Sequence, residues 1–101
     1  MFEAASLDCP RIAKELLAKG ASFEARNRFG AISLNVAAAR GSIEVAELLL
    51  AAGADLEHSN LDKATPLAYA VRAGRRKMVA YLLATGAEVN VADKQGVTPV
   101  M

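Results

Sequence analysis

Apolar residues recur along this chain in short bursts at helical spacing, and a glycine stands behind each burst. Between residues 76 and 85, Met78, Val79, Leu82 and Leu83 fall three and four apart, which predicts a helix with one apolar face. Just upstream, Thr65 and Pro66 predict a helix start, because Pro tolerates the first turn and the Thr side chain can cap free amides. That first helix is expected to run to about Ala73, where Gly74 supplies the left-handed residue that ends it. Gly86 closes the second helix, and the polar, glycine-bearing stretch 88–96 reads as an extended, hairpin-like loop.

The same pattern stands earlier in the chain at a fixed offset. The segment RFGAISLNVAAARGSIEVAELLLAAGADLEHSN, from Arg28, lies without gaps over LDKATPLAYAVRAGRRKMVAYLLATGAEVNVAD, from Leu61, a repeat of 33 residues. Gly41 then falls on Gly74 and Gly53 on Gly86. Carried backwards, the offset sets AKGASFEARN beneath AAGADLEHSN; carried forwards, it sets KQGVTP beneath LDKATP. A period of this length is the mark of a solenoid, because a short helical pair cannot bury its apolar face alone and is stabilised by stacking on its neighbours. Ala37, Ala38 and Ala70 are expected to let first helices approach closely, with Leu49, Leu50, Leu82 and Leu83 filling the space between second helices.

These residues resemble the ankyrin repeat family, whose signature is a T-P-L-H-x-A turn and helix, a central Gly, an apolar second helix ending L-L, and G-A-D. TPLAYA from Thr65 and LLLAAGAD from Leu48 carry the resemblance. It implies an all-α ankyrin-repeat solenoid of helix-turn-helix units joined by β-hairpin-like loops. One domain is expected over 1–101: a partial repeat at 1–27, repeats at 28–60 and 61–93, and the start of a fourth at 94–101.

Departures from the family pattern carry their own expectations. Repeat two has Ile32 and Ser33 in place of Thr-Pro, so its first helix is expected to start less sharply. Asn35 and Ala68 replace the signature His, so the hydrogen bond that His offers between repeats is expected to be absent. Lys63 stands where repeats two and four have Gly30 and Gly96, which implies strain if φ is positive there. Met1 aligns with Leu34 and Leu67, and Asp8 with Gly41 and Gly74; with Glu3, Lys14 and Glu15 this suggests a natural N-terminal cap with a solvated outer face. GVTPVM opens a fourth repeat, so the array is expected to continue beyond Met101.

Composition narrows the function. The formal charge of +1 gives no global field toward nucleic acid or an anionic membrane. It hides a local asymmetry, since residues 28–60 carry −2 and 61–93 carry +2; the gradient orients a partner or is neutralised across the repeat interface. The single cysteine, Cys9, excludes an intramolecular disulfide and a cysteine-rich metal site, which fits a reducing, cytoplasmic setting. No apolar run reaches the roughly 20 residues needed to span a bilayer, and no secretory signal is recognisable.

Candidate chemistry is sparse. His58, beside Glu57 and Ser59 in a predicted hairpin tip, is expected to be a solvated loop histidine, because consecutive residues do not form the geometry of a catalytic triad. One His and one distant Cys cannot assemble three or four metal ligands. The glycines never gather into a phosphate-binding pattern. Arg72, Arg75, Arg76 and Lys77 form a basic cluster, expected to be a solvated helix face rather than a nucleic-acid site because no aromatic residues are interleaved. No catalytic residue, cofactor, metal or small-molecule substrate is expected, and the chain is expected to act as a monomer.

What remains is a protein-interaction module, with a regulatory or targeting arm of a larger enzyme or channel as the alternative and a nucleic-acid-binding module behind it. Phe29 and Leu61 lie in hairpin tips where stacking does not require them, as interface anchors do, unless each folds back over its own finger. The resemblance implies partner binding by tips and outward first-helix residues lining a concave groove. Here these are Arg28, Phe29, Ala31, Ala39 and Arg40, then Leu61, Asp62, Ala64, Arg72 and Ala73, with Lys94, Gln95 and Val97 continuing the line.

Overall fold

A computed structural model describes residues 1–88. Six helices and no strand occur among them: α1 (Phe2–Ser6), α2 (Pro10–Ala18), α3 (Ser33–Arg40), α4 (Ile43–Ala52), α5 (Pro66–Ala73) and α6 (Arg76–Thr85). The 33-residue offset reappears in the elements, since α5 and α6 begin and end 33 residues after α3 and α4. The connections between repeats are loops closed by a few turn-type backbone hydrogen bonds, with no strand ladder among the described residues.

Each first helix ends in the same way. The amides of Cys9, Ser42 and Arg75 donate to the carbonyls of Ala4, Ala37 and Ala70 at 2.9–3.0 Å, around a residue with positive φ. Gly41 and Gly74 take that residue at φ 75° and 73°, and in the first repeat Asp8 adopts it at φ 53°. Asp is among the few side chains that tolerate the left-handed region. Lys63 is also left-handed, at φ 64°, where Gly30 has φ 77°, so the strain expected of a lysine there is present.

The helix starts differ more. Thr65 Oγ1 accepts the Ala68 amide at 3.3 Å, the expected cap. Ile32 has no side-chain acceptor, yet α3 starts as sharply as α5. Asn35 Oδ1 reaches back to accept the Ile32 amide at 2.9 Å, supplying the returning half of a capping box.

First helices pack side by side, with α3 between α1 and α5. Ala4, Ala5, Ala37, Ala38 and Ala70 are buried along this seam and keep the backbones close. α2 packs on α4, and Val45, Leu49, Met78 and Leu82 form the larger side of the core, each contributing about 1.5–3 kcal/mol by its burial. Leu50 and Leu83 are only half-buried, so the expected filling between second helices falls mainly to Leu49 and Leu82.

Two features of the stack go beyond what the sequence led us to expect. Hydrogen bonds between repeats are present without the signature His: Arg40 Nε donates to the Ser6 carbonyl at 2.8 Å, and Arg75 Nε to the Ala39 carbonyl at 2.9 Å. Ser6 and Ala39 are equivalent under the offset, so each arginine caps the last turn of the preceding first helix, where the macrodipole favours a cation. The outer face of the first repeat is solvated, as expected, but it is also more apolar than its charges imply. Glu3, Lys14 and Glu15 are exposed, but Met1, Phe2, Leu7, Cys9, Ile12 and Leu16 line an apolar groove of about 490 Å³. Ile12 is 50% exposed, whereas Val45 and Met78, 33 and 66 residues on, are fully buried.

A candidate partner-binding surface

The tips are built by two asparagines, 33 residues apart. Asn27 Oδ1 accepts the amides of Phe29 and Ala31 at 2.9 and 3.0 Å; Asn60 Oδ1 accepts those of Asp62 and Ala64 at 2.9 Å each. The same asparagines close the loops through their backbones, donating to the carbonyls of Ala31 and Ala64. A side chain that binds its own backbone two residues on is a turn-former, and here it holds four residues against the start of the next helix. Neither asparagine stood among the sequence candidates; their place one residue ahead of each tip, in register, was the available signal.

The geometry decides which tip residues face solvent. Phe29 is 61% and Leu61 76% exposed, so neither folds back over its own finger. Arg28 sets its guanidinium 5.9 Å from the Phe29 ring centroid, a cation–π contact that orients the pair. The Leu61 amide donates to the Phe29 carbonyl at 3.0 Å, joining adjacent tips. Asn60 Nδ2 donates to the Tyr69 hydroxyl at 2.7 Å, tying the second tip to α5. Burial pushes the Tyr69 phenol above its usual pKa; the Asn60 hydrogen bond and the Arg72 charge act the other way.

The other sequence-derived positions divide. Arg28, Arg40, Asp62, Arg72 and Ala73 are exposed, and Ala39 is half-buried. Ala31 and Ala64 do not belong with them: each is 1% exposed, its amide drawn in by the turn asparagine. Lys94, Gln95 and Val97 lie outside the described residues. The tips stand at the N-terminal ends of α3 and α5, whereas Arg40 and Ala73 close the C-terminal ends, about 12 Å away along an eight-residue helix.

His58 is not a solvated loop residue. Its Nε2 donates to the Gly30 carbonyl at 2.8 Å, and its own carbonyl accepts from Asn35 Nδ2 at 3.1 Å. Asn35, fully buried, thus links the start of α3 to the loop after α4, and His58 continues the link to the preceding tip. Among the described residues no group of three or more His, Cys, Asp or Glu side chains is placed to hold a metal ion. None of the helices described is long and apolar enough to cross a membrane.

A family model for ankyrin repeats, in three copies, matches residues 1–93. The chain belongs to the ankyrin repeat family. No curated protein matches it. Ankyrin repeats serve in general as protein–protein interaction modules, and ankyrin repeat domains are typically non-catalytic. In this ankyrin repeat chain the tip asparagines and the Asn35–His58 link set the tip loops on a fixed frame.

Proposed function

We propose that this ankyrin repeat domain binds a protein partner through its tips and the exposed first-helix positions behind them, and that it has no catalytic activity of its own. One observation carries the reading. Two large apolar side chains, Phe29 and Leu61, stand exposed on adjacent turns whose backbones are held by Asn27, Asn60 and the Leu61–Phe29 bond. Exposed anchors on a preformed loop lose little conformational freedom on binding, which is how a small surface gains affinity. Arg28, Asp62 and Arg72 supply a charged rim that selects among partners. The single thiol fits a cytoplasmic setting.

The test is affinity capture from a lysate with immobilised wild-type chain, the Phe29→Ala/Leu61→Ala variant and Arg72→Glu, with thermal melts of each. A protein retained by the wild type should be lost from the double variant, with Kd raised some thirtyfold for an anchor worth about 2 kcal/mol. Equal retention by all three, with melts unchanged, sinks the assignment of this surface.

A further inference from the structure

The far ends of the first helices carry a second feature that the tips do not use. A cleft of about 330 Å³ opens between the ends of α3 and α5 and the start of α6, with Gly41 and Gly74 in its wall and Arg40, Arg75, Arg76 and Lys77 around it. No acidic side chain lines it. Arg40 and Arg75 are held by their Nε bonds to the carbonyls of Ser6 and Ala39. Their terminal guanidinium nitrogens have no protein partner among the described residues, so two forks are positioned in advance for an anion. Gly41 makes room for this: a Cβ there would lie 3.1 Å from Arg75 Cδ.

The repeat supplies an internal control. Arg75, Arg76 and Lys77 stand where repeat two has Ser42, Ile43 and Glu44. Linking the repeats does not require the change, since Ser42 Oγ already donates to the Ala5 carbonyl at 3.4 Å. Helix stability does not require it either, because Glu44 sits in the first turn of α4, where acid is favoured, and Lys77 reverses that charge in α6. Arg40 and Arg75 serve the stack through their Nε bonds, but neither of those bonds needs Arg76 and Lys77 beside them; four cations around a cleft with no acidic side chain in its lining imply a charged ligand.

We propose that this cleft takes an acidic stretch of a protein partner, its carboxylates paired with Arg40, Arg75, Arg76 and Lys77. The proposal rests on the reading of the chain as a protein-binding module and adds a contact at the opposite end of the first helices from the tips. A peptide is favoured over nucleic acid because no aromatic side chain lines the cleft to stack a base.

The test is fluorescence anisotropy of a labelled oligoglutamate peptide against the full chain, with oligoglutamine and oligothymidylate as comparisons. Oligoglutamate should bind, oligoglutamine should not, and the affinity should fall as salt rises. Arg76→Glu/Lys77→Glu should weaken binding at least about tenfold, whereas Phe29→Ala/Leu61→Ala should leave it unchanged. If the charge reversal disturbs the melt, Arg76→Gln/Lys77→Gln replaces it, with a smaller loss in the same direction. Absence of oligoglutamate binding, binding indifferent to these variants, or oligothymidylate binding as tightly as oligoglutamate would overturn the proposal. None of these assays uses the natural partner or depends on the tips, so either reading can fail while the other stands.

Discussion

Asn35 shows how one side chain reorganises what its neighbours do. Its oxygen accepts from the Ile32 amide and its nitrogen donates to the His58 carbonyl, and the side chain is fully buried. Asn35→Ala leaves a buried donor and a largely enclosed acceptor unpaired, and we expect a loss of about 2 kcal/mol. In a domain of this size that is a fall of roughly 10 °C in Tm. A fall under a third of that would mean that water takes the place of the amide. The strain at Lys63 was legible in the sequence, because the offset sets it on Gly30 and Gly96. The Asn35–His58 link was not legible: its partners lie 23 and 28 residues apart, and nothing in the local pattern of a loop histidine says which carbonyl it will meet.

Helix boundaries were the most readable part of the chain, because each is written in local chemistry. Thr65 with Pro66 starts α5 and Gly74 ends it, as their residue types require. The sharp start of α3 was missed, since it depends on Asn35 reaching back rather than on the residue at the cap. The two equivalent glycines separate backbone strain from crowding. At Gly74 an added Cβ meets nothing within 4 Å, so Gly74→Ala should cost only the left-handed penalty of about 1–2 kcal/mol. Gly41→Ala carries the same penalty and also presses on Arg75 Cδ at 3.1 Å. Denaturant melts should therefore rank Gly41→Ala as the more destabilising; equal losses would mean that Arg75 moves aside freely.

Across the molecule, the offset fixed the order of the stack and the small-residue seam between first helices, and all of Ala37, Ala38 and Ala70 are buried as that seam requires. The charges of the first repeat revealed only part of its outer face. Glu3, Lys14 and Glu15 do face water, but the offset also puts Ile12 on Val45 and Met78, which are core residues wherever another repeat lies against them. The comparison of equivalent positions yields a prediction. Ile12→Lys should change stability by less than about 0.5 kcal/mol, whereas Val45→Lys should cost more than about 4 kcal/mol by burying an unpaired charge. Parallel urea melts of the two variants check it, and a large loss at Ile12 would mean that this position is covered in solution.

Cys9 lies on the rim of that same groove and is the only thiol in the chain. Any maleimide dye, spin label or surface tether therefore attaches at one known place in the first repeat. Arg75, its equivalent two repeats on, stands at the opposite end of the described stack, and the tips at Phe29 and Leu61 lie on separate loops. A molecule coupled to a surface through sulfur would thus be held in a single orientation, and a reporter at the same atom would sense from one edge what the rest of the domain encounters.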